Sequence, residues 1–432
     1  MIQILLVVIY IAFISLGLPD SLLGSAWPAM HLQFNVPVSY AGIISMIIAL
    51  GTVFSSLQSD RLTKKWGTGV VTAASVALTA AALLGFSASH SFTHLVLWAI
   101  PYGLGAGSID ASLNNYVAIH YKSRHMSWLH CMWGVGASVG PYIMGYALAL
   151  GKQWNAGYQY VGILQVALTA ILLFSLPLWK KSAGEAARAH ANANGANENY
   201  SVSTVDADST ADTSNGIAAD NRQQSRVPQP QALSLKEIGN LPGAKAVMVM
   251  FFCYCALEQT TGLWASSFLV SAGFSIETAT RFASLFFIGI TAGRAISGFI
   301  TFKLNDRHMI HLGQLIICVG IILLLIKANS TQLAGFICIG LGCAPIYPSI
   351  IYATPHYFGA DKSQAVIGVQ MASAYVGTCS MPPLFGVLAQ KISLSLLPIF
   401  LAILLVLMVV MHKQLDAQTR HEPQSPGTGS NS

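Results

Sequence analysis

Twelve long apolar segments run along this chain, and they constrain its fold more than any other feature. Each holds about 20 mostly apolar residues, the length that a helix needs to cross the hydrocarbon core of a bilayer. We number these segments as spans 1 to 12. The first six lie near residues 2–30, 39–58, 68–88, 92–118, 127–150 and 157–179. The second six lie near residues 244–271, 277–301, 309–327, 331–354, 363–389 and 394–412.

The composition supports a membrane protein. Charged residues make up only 9% of the chain, whereas soluble domains carry about 25%. A soluble enzyme, a nucleic-acid binder and a disulfide-stapled secreted domain are therefore excluded as leading interpretations. The pattern predicts an all-α membrane protein with twelve transmembrane helices in two six-helix halves.

A long polar segment separates the two halves. It is rich in Ala, Asn, Ser and Asp, and Tyr200 is its only aromatic residue. Such a segment buries too little apolar surface to fold. We predict an N-terminal half (1–180), a disordered cytoplasmic linker (181–240), a C-terminal half (241–413) and a disordered cytoplasmic tail (414–432).

The distribution of Lys and Arg predicts the orientation. Of the 22 basic residues, 17 lie in the loops after spans 2, 4, 6, 8 and 10 or in the tail, and four lie on the opposite side. The remaining one, Arg294, lies inside span 8. We therefore expect a multi-pass protein of the cell (inner) membrane with both termini in the cytoplasm. The opening apolar run lacks the basic start and small-residue cleavage site of a signal peptide.

The cysteines and the glycine motifs indicate no cofactor. All seven cysteines fall within apolar runs, without metal-ligand spacing to histidines. The chain contains no G-x-x-x-x-G-K-[ST] motif, so nothing in it predicts ATP-driven work. We expect no metal, no cofactor and no enzymatic activity.

An acidic–basic pair recurs after the second span of each half. Asp60-Arg61 follows span 2, and Asp306-Arg307 follows span 8, beyond Arg294. A surface charge pair in one loop would be unremarkable by itself, but the recurrence at equivalent positions indicates an internal repeat, which is typical of transporters. We expect these residues to belong to the gate or its loop motif, with Arg294 paired to an acid.

The chain resembles the major facilitator superfamily of transporters. The loop Asp60-Arg61-Leu-Thr-Lys64-Lys65 is similar to the motif that follows span 2 in that family, although Ser56 and Thr63 stand where Gly is usual. The resemblance covers the chain outside the linker and the tail. It implies transport driven by an ion or solute gradient.

Three of the 16 acidic residues lie inside spans: Asp20, Asp110 and Glu258. A charge at the bilayer centre costs about 2.5–3.5 kcal/mol on insertion scales, so each needs a reason to be there. The functional interpretation is proton transfer or solute binding. The structural alternative is a carboxylic acid that bonds to a neighbouring helix.

Asp20 is the strongest candidate for carrying a proton. Pro19 removes a backbone donor beside it and weakens the helix, so the carboxyl group can face a wet cavity. Glu258 occupies the equivalent span of the second half and is a second candidate.

The candidate solute-binding residues lie on four spans. Asp110 and Asn114 are four residues apart and share a helix face, as do His130 and Trp133 at a spacing of three. Carboxylate, amide and imidazole groups suit a polyol, and a tryptophan ring suits the C–H face of a sugar. Gln259 in span 7 and Gln370 in span 11 complete the predicted set, with core packing as the alternative for Gln370.

The intramembrane residues resemble the fucose/galactose:proton symporter branch of the superfamily. The matching positions are Pro19-Asp20, Asp110 to Asn114, His130 to Gly136, and Glu258. The resemblance implies proton coupling and sugar recognition by Asp20 and Asp110. Asp110 stands where Glu is expected and His130 where an amide is common, which argues against fucose itself.

The sequence therefore predicts proton-coupled uptake of a monosaccharide or similar polyhydroxy solute, with sodium as an alternative ion and no nucleic-acid partner. A competing hypothesis is an efflux antiporter for hydrophobic compounds, because Gly136-Ala-Ser-Val-Gly140-Pro141 resembles the signature of drug:proton antiporters. A third, a solute-binding membrane sensor, would need an output domain that the polar linker does not resemble.

Overall fold

The chain is described by a computed structural model that covers residues 2–121, 123–202, 235–300 and 304–419. These residues form helices and short connections, without a strand among them. In the N-terminal half, the helices are Ile2–Asp20 and Leu22–Gln33 (span 1), Tyr40–Trp66, Thr68–Ser87, Phe92–His120, Ser123–Ala149 and Trp154–Val202. In the C-terminal half, they are Ala244–Ser271, Ile276–Phe282 and Ser284–Ile300 (span 8), Asp306–Leu325, Asn329–Phe358, Ala360–Lys391, and the turn Leu394–Leu396 followed by Leu397–Thr419 (span 12).

These helices confirm the predicted fold class of twelve spans in two sets of six. Eight helical segments of the described residues are long and apolar enough to cross a membrane on length and composition alone. Because the number of spans is even, both termini lie on the same side of the bundle.

The segment predicted as a linker lies partly outside the described residues. The helix of span 6 continues to Val202, and a short helix covers Leu235–Asn240. Residues 203–234 are not described, so a disordered linker stays a prediction. The last helix extends through 414–419, which the sequence assigns to the tail, and residues 420–432 lie beyond the description.

Span 1 is interrupted next to its acidic residue. One helix ends at Asp20 and the next begins at Leu22, with Pro19 in the last turn of the first. Proline lacks the N–H that a continuous helix needs at this point. The predicted weak point of span 1 is therefore present, and it places Asp20 at a helix end.

Small residues bring spans 1 and 5 into close contact. A Cβ atom added to Gly136 would lie 2.1 Å from the carbonyl oxygen of Ile14, and one added to Gly140 would lie 2.3 Å from that of Leu18. The glycines that resemble the drug-antiporter signature thus serve helix packing. Their close approach sets the position of Asp20 relative to span 5.

The two halves meet through spans 1 and 7, 2 and 11, and 5 and 8. On the side away from the termini, the carbonyl oxygen of Ser25 in span 1 accepts hydrogen bonds from the hydroxyls of Ser266 (3.3 Å) and Thr280 (2.9 Å). These bonds close that side of the interface between the halves.

Candidate functional site: a cavity between the two halves

A cavity of about 1110 Å³ lies between the two halves and is lined by residues of spans 1 to 11. Asp20 and Glu258 line its inner part, and its wall reaches Met126, Asp306 and Tyr352. The last three lie near the ends of spans 5, 9 and 10 that are on the side of the termini. The cavity therefore opens toward the termini and is closed on the opposite side.

Asp20 is held by two neutral donors. The Tyr102 hydroxyl donates to its Oδ1 at 3.0 Å, and the Trp133 Nε1–H donates to its Oδ2 at 2.8 Å. The side chain is nevertheless exposed to the cavity. Among the described residues it has no ion-pair partner, so hydrogen bonding alone holds this carboxyl group in place.

Glu258 faces a cation across the same cavity. Its Oε1 lies 3.9 Å from Nη2 of Arg294, and both side chains are largely buried, with exposed fractions of 11% and 16%. The guanidinium group also stands over the Trp133 ring, 4.9 Å from its centroid. Its Nη1 donates to the backbone oxygen of His130 at 3.2 Å. Arg294 thus links spans 5, 7 and 8.

Arg294 has the acid partner that the sequence led us to expect, and its guanidinium lines the central cavity. It stands about two turns before the loop after span 8. A role of Arg294 in a gate stays a prediction.

Asp110, His130 and Gln259 also line the cavity. The Asn114 amide donates to Oδ1 of Asp110 at 2.8 Å, as their spacing suggested, and Asn114 itself is not among the described residues that line the cavity. Gln259 is exposed to the cavity and its neighbour Glu258 is buried, which fits their offset of one residue on the helix.

Gln370 is placed differently from the prediction. Its side chain is fully buried and exchanges hydrogen bonds with the Thr354 hydroxyl of span 10, at 3.0 and 3.1 Å. Its amide is therefore engaged between two helices, away from the cavity. The core-packing alternative describes it.

The recurring loop pairs have separate partners. Asp306 lines the cavity, whereas Nε of Arg307 pairs with Oδ1 of Asp416 in span 12 at 2.8 Å. Arg61 is exposed, and the side chain of Asp60 lies outside the described part of the chain. The role of this first pair in a gate stays a prediction.

Tyr102 is the residue that the sequence analysis missed. It precedes Asp110 by eight residues in span 4, which places it on the same broad helix stripe. A polar aromatic residue at that spacing from an intramembrane acid was the available signal.

Comparisons with known proteins agree with this architecture. Residues 9–307 and 247–430 match the Major Facilitator Superfamily model. The chain is 23% identical over 420 residues to Bypass of stop codon protein 6 of Saccharomyces cerevisiae, covering 92% of this chain and 79% of that one. It is 21% identical over 345 residues to the glucose/mannose transporter GlcP of Bacillus subtilis, covering 78% and 77%. A shorter match, 25% over 179 residues and 40% of each chain, is to the 4-hydroxybenzoate transporter PcaK of Pseudomonas aeruginosa.

Solved structures share the fold. A bacterial homologue of the human lysosomal transporter Spinster, in an inward-facing and occupied conformation, superposes with a TM-score of 0.63 at 11% identity over 97% of both chains. A mutant of the peptide transporter POT gives 0.69 at 12% identity, over 96% of this chain and 95% of that one. Together with the family match across both six-helix halves, these findings show that the chain belongs to the Major Facilitator Superfamily of membrane transporters.

Proposed function

We propose that this transporter takes up a monosaccharide or similar polyhydroxy solute together with protons, by alternating access around the central cavity. The observation that carries the proposal is the setting of Asp20. Its carboxyl group faces the cavity, and the Tyr102 hydroxyl and the Trp133 N–H hold both its oxygens. A carboxyl group bonded by neutral donors can lose or gain a proton without abandoning an ion pair.

Asp20 suits proton coupling better than Glu258 does. Glu258 lies opposite Arg294, and protonation of Glu258 would leave a largely buried guanidinium without its counter-charge. Removing one partner of a buried pair is costly. We therefore assign the proton to Asp20, and to Glu258 the task of holding Arg294.

The polar groups of the cavity suit a polyhydroxy solute. Asp110 offers acceptor oxygens, Gln259 offers both donors and acceptors, and His130 adds a ring nitrogen. One face of the Trp133 ring is covered by Arg294, so a sugar would stack on the other face. The likeness to GlcP, a glucose/mannose transporter, supports this class of solute.

The test is gradient-driven uptake by the purified full-length chain in proteoliposomes. An inward proton gradient is imposed, and accumulation of labelled glucose, mannose, galactose, fucose and xylose is measured with and without a protonophore. The proposal expects protonophore-sensitive accumulation of at least one sugar. Accumulation driven only by a sodium gradient would show that sodium, and not the proton, is the coupling ion. No accumulation under either gradient would refute the sugar assignment.

Arg294 favours a second candidate, an organic acid. A guanidinium group lining a cavity beside an aromatic ring is a good partner for an aromatic carboxylate, and PcaK is a 4-hydroxybenzoate transporter. The same vesicles with 4-hydroxybenzoate as the solute distinguish the two. The efflux hypothesis for hydrophobic compounds is a third candidate, because most of the cavity lining is apolar although it includes several charged side chains.

We also infer that both termini face the cytoplasm, in a cell membrane. The basis is the excess of Lys and Arg in the loops on the side of the termini. In that orientation the cavity of this structure opens inward.

A further inference from the structure

A compact cluster of two histidines and one carboxylate lies outside the cavity, between spans 9 and 12. His311 comes from span 9, and His412 and Asp416 lie one turn apart on span 12. One ligand atom from each of the three lies within 4.8 Å of the others. The transport proposal above makes no use of these side chains.

The polar groups of this cluster are incompletely paired. The His412 ring is fully buried, and its Nε2 has no hydrogen-bond partner in the described structure. Its Nδ1 lies 3.4 Å from Oε1 of Gln314. Nε2 of His311 lies 3.9 Å from Oδ2 of Asp416, and the two histidine rings lie 4.3 Å apart. A buried imidazole nitrogen without a partner is costly unless something binds it.

We propose that His311, His412 and Asp416 bind a divalent transition-metal ion of the zinc class, which links spans 9 and 12. Two histidines and one carboxylate are a common ligand set for such ions. The hydrogen bond of the His412 ring to Gln314 is the outer-shell contact that orients a metal-binding imidazole.

The distances permit closure around an ion. Zinc–nitrogen and zinc–oxygen bonds of about 2.0–2.2 Å place ligand atoms about 3.3 Å apart in a tetrahedron. The present separations are somewhat larger, and His311 has the freedom to adjust because 43% of its side chain is exposed. That exposure also gives the ion a path to the site.

Arg307 is the internal competitor for this site. Its Nε lies 2.8 Å from Oδ1 of Asp416, so its positive charge repels a cation that approaches the carboxylate. The other oxygen, Oδ2, faces His311. Removal of the Arg307 charge should therefore strengthen metal binding, whereas a merely destabilised protein would bind metal less well.

The test is metal binding by the purified full-length chain in detergent, without a histidine tag. Zn²⁺ affinity is measured by competition with a chromophoric chelator, and Co²⁺ is used to record the absorption of the bound ion. We expect one site per chain, weakened more than about tenfold by either His311→Gln or His412→Gln, because loss of even an outer-shell partner costs 10–100-fold. His308→Gln, an exposed histidine three residues before His311, is the matched control and should leave the affinity unchanged.

His412 is fully buried, so a change at this position risks misfolding. His311 is exposed, and His311→Gln therefore tests the site without that risk. Arg307→Gln is expected to tighten Zn²⁺ binding several-fold. Equal affinities of wild type, His311→Gln and His308→Gln would overturn the proposal. Weaker binding by Arg307→Gln would overturn it as well.

Discussion

Asp20 and Glu258 occupy equivalent spans of the two halves, yet the two carboxylates have partners of opposite kinds. Asp20 accepts hydrogen bonds from Tyr102 and Trp133, and Glu258 faces the guanidinium group of Arg294. The internal repeat thus supplies two acids, and their neighbours give each a different chemical setting.

Arg294 has more partners than Glu258, so replacing Arg294 should reduce the stability of the protein more than replacing Glu258. Arg294→Gln removes the contact to Trp133, the bond to His130 and the cation opposite Glu258, so we expect a loss of about 1–3 kcal/mol of stability. Glu258→Gln should cost less. The double variant should cost less than the sum of the two, because neither charge is then left alone. Thermal unfolding in detergent measures all three, and additive losses would show that the pair does not interact.

Gln259 and Gln370 offer a matched contrast between binding and packing. Gln370→Ala breaks the buried bonds to Thr354 and should cost about 1–3 kcal/mol of stability, with the affinity for solute unchanged. Gln259→Ala should leave stability unchanged and weaken the apparent affinity about 3–10-fold, the worth of one hydrogen bond. Uptake kinetics and thermal unfolding of both variants are the measurements. The reverse pattern would place Gln370 in the binding site.

At the scale of single residues, the sequence indicates which residues are unusual but not which residues they contact. An acid within an apolar run is conspicuous because its cost needs a reason, so Asp20, Asp110 and Glu258 are found directly. Tyr102 and Arg294 are their partners only through packing between spans that are distant in the chain. No local pattern reports such a contact.

Helix packing in this protein relies on glycines where backbones approach closely. Gly136 and Gly140 bring span 5 against span 1, and Gly24 brings span 1 against span 7. Contacts of this kind need no polar groups and are common between membrane helices. They fix the distance between the Asp20 carboxyl group and the side chains that hold it.

A single methyl group at the interface between spans 1 and 7 should impair the transport cycle. The Cβ atom of Gly24→Ala would lie 2.6 Å from the carbonyl oxygen of Gly262, so the backbones of two halves must separate. Gly262→Ala is the matched control, since the nearest atoms to its Cβ would belong to side-chain rings, Phe287 at 3.2 Å and Phe286 at 3.7 Å, and not to the backbone of span 1. We expect solute exchange in vesicles to slow several-fold in the first variant and little in the second. Equal rates would show that this contact does not limit the cycle.

The helices are the best-predicted level of the structure. The bilayer requires about 20 apolar residues per span, so most predicted bounds agree with the observed helices to within a few residues; for example, Ala244–Ser271 was predicted as 244–271. The deviations occur where helices continue beyond the apolar run, as in span 6 to Val202 and span 12 to Thr419. The bilayer sets no length for the polar ends of helices, so the apolar pattern does not predict where those ends lie.

The whole molecule is in a conformation that is open on the side of the termini. The bonds from Ser266 and Thr280 to Ser25 close the other side, and the cavity wall runs toward Met126 and Asp306. The sequence predicts the two halves and a cavity between them. It does not predict which side is open, because the opposite conformation uses the same helices and the same apolar lengths.

We propose above that Asp20 couples the uptake of solute to the uptake of protons. This coupling is tested most directly by following the external pH of proteoliposomes, without an imposed gradient, when a transported sugar is added outside. Asp20→Asn keeps the size and polarity of the side chain but cannot ionise, and Glu277→Gln is the control because Glu277 lies outside the cavity wall. We expect external alkalinisation for wild type and Glu277→Gln, and none for Asp20→Asn. Alkalinisation of equal size in Asp20→Asn would contradict the proposal.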